Sequence, residues 1–226
     1  GNFLLARSRT GIEFAKGNTV SPAKKIGDTQ KTGTRVSFTP DDTIFSVVDY
    51  EYDILSKRLR ELAFLNRGIE IHFQDDRDPS KDDLVFCYEG GIASFVSYLN
   101  ENKSPLFENP VYIKNAKNTS DGPVEIEVAL QWNGGYSENV YTFVNNIATK
   151  YGGTHLSGFS SALTRVLNTY IKQKNFLKNE KVSVGGEDMR EGLTAVISVK
   201  MANPQFEGQT KQKLGNAEIG GVVQQL

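Results

Sequence analysis

The chain has 226 residues, 38% hydrophobic and 23% charged, with 13 Phe and 9 Tyr, which is apolar material enough for one large folded domain or two ordinary ones. Twenty-six basic residues against 27 acidic ones leave a formal net charge of -1, so no overall charge draws the chain to nucleic acid or to an anionic membrane, and any DNA contact has to be local. One cysteine, Cys87, and two histidines, His72 and His155, exclude an internal disulfide and a multi-cysteine metal site, and leave few ways to build a histidine zinc centre or a Ser-His-Asp system.

The opening GNFLLARSRTG enters an apolar stretch almost at once, as though cut from something longer, but the stretch is too short for a signal peptide. No apolar run approaches the roughly 20 residues that cross a bilayer, so a cytoplasmic protein with no membrane partner is expected. In KTGTRVSFTPD, Val36 and Phe38 alternate between Gly33 and Pro40-Asp41-Asp42, which predicts a short strand ending in a turn. DYEYDILSKRLRELAFLN follows with Ile54, Leu55, Leu59, Leu62 and Leu65 at helical spacing, and a stop at Asn66 to Gly68. GIEIHFQD and LVFCY, joined by the charged turn DDRDPSKDD, read as a hairpin.

The glycine pair of YEGGIASFVSYLN opens a short amphipathic helix through Ile92, Phe95, Val96 and Leu99, expected to begin a second domain. Beyond a polar link, PVEIEVALQW is the cleanest alternation in the chain, and NGG is expected to turn it back onto ENVYTFVNN. GGTHLSGFSSALTRVLNTYIKQ sets Leu156, Phe159, Leu163, Val166, Leu167 and Tyr170 on one helical face. GLTAVISVK is a further strand, and NAEIGGVVQQL a final helix.

Candidate chemistry is sparse. His155 stands at a helix entrance, where a bond to backbone and a catalytic role are both open, with the first favoured, and His72 points outward from its strand. Glu187, Asp188 and Glu191 have the residue types of a metal site, but Arg190 among them argues for an ion-paired turn, and no metal ligand set is expected. There is no Walker phosphate loop and no dinucleotide fingerprint. The stretch PQFEGQTKQKLGN, residues 204 to 216, puts two lysines and two of its glutamines between glycines without strand alternation. It is either a solvated connector or a loop that reaches an anion elsewhere, lysine supplying a point charge and glutamine both a donor and an acceptor.

Six blocks in order, KRLRELAFLN, YEGGI, EVALQWNGGYSENVYTFVNNI, GGTHLSGFSSALTRVLN, GEDMREGLTAVISVK and PQFEGQTKQKLGN, resemble the B-subunit family of bacterial type II topoisomerases, DNA gyrase and topoisomerase IV. The resemblance covers nearly the whole chain from about residue 30. It implies an α+β chain: residues 1–89 as the C-terminal part of an ATPase sandwich of the gyrase, Hsp90, histidine kinase and MutL type, and residues 90–226 as a transducer domain similar to a domain of a small-subunit ribosomal protein. It implies ATP and Mg2+ as cofactors of a complete subunit, with none expected on this stretch alone. The implied partners are ATP, duplex DNA, the gyrase A subunit and a second B subunit in a nucleotide-dependent homodimer.

By the same resemblance, Thr34 matches the threonine beside the family's adenine-binding aspartate, which this sequence lacks. Gln209 and Lys211 match the loop that reaches the terminal phosphate of ATP, as catalytic and nucleotide-binding residues. The family's metal-binding asparagine helix and glycine-rich lid motifs have no counterpart here, so no hydrolysis is expected of this chain alone. Relatives often carry a basic residue where this chain has Ser160, which leaves Arg165 and Lys172 as cations on that helix. Gyrase is the leading form, with topoisomerase IV as the alternative. Two other classes stay open: a noncatalytic interaction module with the transducer fold, and a small phosphoryl-transfer enzyme relying on Lys211 alone.

Overall fold

The computed structural model describes residues 7–31, 33–78, 80–177 and 184–225, and of Arg7 the backbone only. The apolar opening at residues 3–5, Thr32 of KTGT, Pro79 of the charged turn and Leu226 of the last expected helix lie outside the described residues. The chain divides into two compact units, Gly1–Glu51 and Tyr52–Leu226.

In the first unit, β1 (Arg7–Ala15) and β2 (Asn18–Thr29) form an antiparallel ribbon around Lys16 and Gly17, with register shifts at Arg9/Thr10, Gly11/Glu13 and Glu13/Phe14. Periodicity assigns no element to this ribbon, because a glycine, polar residues and the register shifts break every alternation. The strand expected at Val36 and Phe38 does not form: residues 33–40 are irregular, and the two side chains are 79% and 73% exposed. Alternation makes a strand only where a neighbouring strand supplies ladder bonds and a buried face. The expected turn does form. Asp41 Oδ1 accepts the Thr43 N–H at 2.9 Å and the Thr43 hydroxyl, and these bonds hold the Asp41 carboxyl below its ordinary range.

The second unit begins with α1 (Tyr52–Leu65), which has Asp53 in its first turn, where a negative charge complements the helix dipole. Its buried residues are Ser56, Ala63, Phe64 and Leu65, whereas Ile54, expected on the inner face, is 61% exposed. The hairpin expected next is present as β3 (Glu70–Phe73) and β4 (Leu84–Cys87), antiparallel with Phe73 opposite Leu84. Helix α2 (Ile92–Asn100) packs beside α1, and Phe64 stacks between Tyr88 and Phe95 at centroid distances of 3.7 and 4.7 Å.

The polar link between Asn100 and Gly122 contains a strand, β5 (Val111–Thr119). Its polar residues conceal it because it lies at the sheet edge, with most of its side chains exposed. The other strands are β6 (Gly122–Trp132), β7 (Asn139–Val144), β8 (Ile147–Ala148) and β9 (Leu193–Met201), in spatial order β5-β6-β9-β7-β8. NGG therefore does not close a hairpin between β6 and β7. Strand β9 lies between them, antiparallel to β6 and parallel to β7. Every β9 side chain except Lys200 is buried, so the strand needs cover on both faces and takes the centre of the sheet.

Helix α3 (Thr154–Lys174) is followed by the short α4 (Gly186–Arg190) and by α5 (Ala217–Val223). Alternation divides the sheet's two faces. Val124, Ile126, Val128 and Leu130 of β6, with Leu193, Ala195, Ile197 and Val199 of β9, join Phe159, Leu214, Ile219 and Val223 in one core. On the other face Ala129, Phe143 and Val196 meet Phe64, Phe95 and Val96 from α1 and α2. Burying each large aliphatic side chain contributes roughly 1.5–3 kcal/mol, so these two cores hold the unit together. The inner face of α3 is shorter than its sequence pattern: Val166 and Tyr170 are 58% and 48% exposed, and no α3 residue after Phe159 is fully buried.

Candidate functional site

Strand β9 ends at Met201, and the chain makes one excursion before α5. Its limbs pair with each other: Glu207 N–H donates to the Lys213 carbonyl at 2.9 Å, Gly215 N–H donates to the Gln205 carbonyl at 2.7 Å, and Phe206 bridges Leu214. Lys213 and Glu207 add an ion pair at 3.1 Å. The Asn216 side chain, 3% exposed, closes the base by accepting the Gln205 N–H at 2.6 Å and donating to the Asn203 carbonyl at 3.3 Å. Residues 204–216 are thus a small hairpin and not a slack connector.

At the tip, Lys211 N–H donates to the Gly208 carbonyl at 3.2 Å, and Lys211 takes a left-handed backbone with φ of 56°. Gln209 and Lys211 are both exposed, and among the described residues Lys211 has no ion-pair partner within 4.0 Å. The structure brings these two side chains to one turn. Thr34 belongs to the other compact unit, where it is exposed in the irregular stretch after β2.

The hairpin rests on the entry to α3. Tyr151 N–H donates to the Gln212 carbonyl at 2.9 Å, Leu214 N–H to the Gly152 carbonyl at 3.0 Å, and Thr154 N–H to the Leu214 carbonyl at 3.2 Å. Leu214, 1% exposed, plants the returning limb in the main core. An open cleft of about 510 Å³ flanks this foot, lined by Tyr151, Ser157, Ser161, Lys213 and Gln224 among others. Charge and amide chemistry mark only the two polar tip residues of this block in the sequence. The apolar Leu214 between Lys213 and Gly215 is the signal in the sequence for the buried foot.

His155 is fully buried, and its bond runs to a side chain, not to the backbone: Nε2 lies 3.0 Å from Thr149 Oγ1. Thr149 in turn bonds Thr142 of β7, hydroxyl to hydroxyl at 2.7 Å. Burial pushes the imidazole pKa down to about 4, which keeps it neutral near pH 7. His72 is exposed beside Glu70. Arg190 pairs with Glu138 at 3.0 Å and not with its sequence neighbours, while Asp188 accepts the Gly185 N–H at 2.7 Å, so its carboxylate caps α4. Among the described residues no three His, Cys, Asp or Glu side chains come together as could hold a metal ion. Arg165 donates to the Gln224 carbonyl at 2.7 Å, and Lys172 is exposed. No helix of the described residues is long and apolar enough to cross a membrane.

The tip thus offers a cation and an amide to an outside acceptor, an arrangement that suits binding an anion.

Residues 91–226 match the family model for DNA gyrase B. The chain is 58% identical over 215 residues to the DNA gyrase B subunit of Chlamydia muridarum, covering 95% of this chain and 27% of that protein. It is 60% identical, with the same coverage, to the DNA gyrase B subunit of Chlamydia pneumoniae. The chain therefore spans about a quarter of the length of these curated relatives. Among solved structures, the 43K ATPase domain of Thermus thermophilus gyrase B, in complex with an aminocoumarin, superposes with a TM-score of 0.79 at 39% identity. That superposition covers 96% of this chain and 58% of the Thermus chain.

Proposed function

The chain belongs to the DNA gyrase B family, and from that premise we propose that it is the part of an ATP-dependent type II topoisomerase subunit that senses nucleotide and passes the signal on. In the complete subunit, ATP binding and hydrolysis are coupled to DNA strand passage and supercoiling, with duplex DNA, the gyrase A subunit and a second B subunit as partners. The observation that carries this reading is the tip of the 204–216 hairpin, where Lys211 and Gln209 are exposed and Lys211 is unpaired among the described residues.

In this reading residues 1–89 are the last part of the ATPase domain, and residues 90–226 are the transducer, with the fold of a small-subunit ribosomal protein domain. The family match from residue 91 supports that boundary. The compact unit starts earlier, at Tyr52, because α1 packs against α2. The division at residue 89 is accordingly one of function.

The tip fits the terminal phosphate of a nucleotide: an ammonium neutralises charge that grows during phosphoryl transfer, and the Gln209 amide orients a phosphate oxygen or the attacking water. Bound Mg2+ would supply charge neutralisation on the phosphates. In this reading its ligand is the family's metal-binding asparagine helix, which has no counterpart in this sequence. By the family resemblance, Thr34 of the first unit is an adenine-side residue of the ATPase portion. Soluble gyrase-type subunits are expected to work in the cytoplasm.

The test is Lys211→Ala in the complete subunit. ATP turnover is expected to fall at least about tenfold while the ATP dissociation constant changes less than about threefold, because the contact matters most where charge develops. Equal losses in turnover and binding overturn the assignment. Relaxation and supercoiling assays with the A subunit then distinguish gyrase from topoisomerase IV, which decatenates without introducing negative supercoils.

A further inference from the structure

The hairpin tip is carried by a foot seated on the entry to α3. The returning limb, residues 212–214, lies along residues 151–154 and joins them by three backbone hydrogen bonds of 2.9, 3.0 and 3.2 Å. Gly152 and Gly153 have φ of 67° and 134°, in the region where side chains are strained. A Cβ at Gly153 would collide with the Leu214 carbonyl oxygen and stand 2.6 Å from the Leu214 nitrogen, so the two backbones meet there only because the side chain is missing. Immediately beyond, His155 is buried and tied through Thr149 to Thr142 in the sheet. The foot is therefore fixed on both sides, by Leu214 in the core and by His155 behind the glycines.

We infer that Gly152 and Gly153 are positioning residues for Lys211 and Gln209: they hold the hairpin foot rigid in the absence of nucleotide, so that only the turn at 208–211 yields on contact. This rests on the proposed phosphate-sensing role of Lys211. A tip on a slack loop would follow a phosphate by bending, and the capture energy would be spent in the loop. A tip on a rigid foot hands the same displacement to the body that carries α3 and the sheet. It also enters the site in one orientation, which lowers the entropic cost of reaching the reactive geometry.

The test combines hydrogen exchange and turnover in the complete subunit. Without nucleotide, the amides of Tyr151, Thr154 and Leu214 are expected to exchange on the order of a hundredfold or more slower than those of Gln209 and Thr210. Gly153→Ala is expected to lower ATP kcat by about tenfold with KM within about twofold, following Lys211→Ala, because a misplaced tip loses transition-state contact before ground-state binding. Gly221→Ala, at a helical position where a new Cβ meets nothing within 4 Å, is the control and retains wild-type turnover. If Gly153→Ala does not fold, Tyr151→Pro, which deletes a single donor of the foot, is measured in its place.

Foot amides that exchange as fast as the tip until nucleotide is added overturn the preformed foot, whatever Lys211 does. A protected foot, an impaired Lys211→Ala and an unimpaired Gly153→Ala overturn the positioning role and leave the Lys211 reading standing. Unimpaired turnover in both variants overturns the Lys211 reading and the positioning role with it.

Discussion

Nε2 of His155 lies 3.0 Å from Oγ1 of Thr149, and Nδ1 of the same ring, equally buried, has no hydrogen-bond partner among the described residues. Folding thus holds a neutral imidazole whose pKa is pushed from 6.5 down to about 4 by burial. Above the unfolded value both states are neutral there and the contribution to stability is fully present. As pH falls from about 6.5 to about 4 the unfolded chain takes up a proton that the folded chain refuses, and stability is lost by an amount on the order of 3 kcal/mol. Urea unfolding at pH 7.5 and pH 4.5 measures this. His155→Gln, which does not titrate, is expected to flatten that part of the profile, and an unchanged slope in the variant would show that the proton goes elsewhere.

Helices α3 and α5 cross where Gly158 faces Gly220, and a Cβ at Gly158 would stand 2.5 Å from the Gly220 carbonyl oxygen. Gly158→Ala must push the helices apart and is expected to destabilise by about 1–3 kcal/mol. Gly221→Ala adds a better helix former in open space and is expected to stabilise by about 0.5–1 kcal/mol. Opposite shifts of the thermal midpoint check the pair, and a tolerated Gly158→Ala would contradict the close crossing.

A buried polar network fixes the end of α2 on the sheet. Asn100 donates to Gln131 Oε1 at 2.8 Å and accepts from Thr194 at 2.7 Å and from Asn133 at 3.1 Å, while Gln131 donates on to the Phe107 carbonyl at 2.7 Å. Removing the hub leaves Gln131, Asn133 and Thr194 each short of one buried hydrogen bond. Asn100→Leu is expected to destabilise by about 3 kcal/mol or more, since each orphaned polar group costs roughly 1–3 kcal/mol. Chemical denaturation checks the size, and a loss below about 1 kcal/mol would mean that water rescues the site.

The chain alone is expected to bind ATP weakly, with a dissociation constant on the order of 1 mM or above, because an exposed cation and amide gain little against water. Calorimetric titration measures it. Micromolar affinity would require the nucleotide pocket to lie within these 226 residues and would overturn the division between ATPase and transducer portions.

Much of the second unit is legible in the sequence because burial repeats at the period of each element: 3.6 residues for Ile92, Phe95 and Val96 of α2, two for Val124, Ile126 and Val128 of β6. Periodicity says nothing of neighbours, and so β9 is misplaced outside the β6–β7 pair although its own extent is recognised. Edge and ribbon strands escape for the opposite reason: β5 and the β1–β2 ribbon bury too little for a pattern to appear. At the site, charge and amide chemistry mark Lys211 and Gln209. The Gly153–Leu214 contact is a meeting of backbones from segments 61 residues apart, and no local signal announces it.

The order β5-β6-β9-β7-β8 also constrains synthesis. While the chain emerges from the ribosome, β6 and β7 are both available long before the strand that belongs between them, and each carries an apolar face and an open hydrogen-bonding edge. Only when residues 193–201 appear can the sheet be joined, by insertion of a strand at its centre. Until then the nascent polypeptide is exposed to edge-to-edge misassociation, so soluble yield is governed by the interval before β9 arrives and by whatever shields those edges in the meantime.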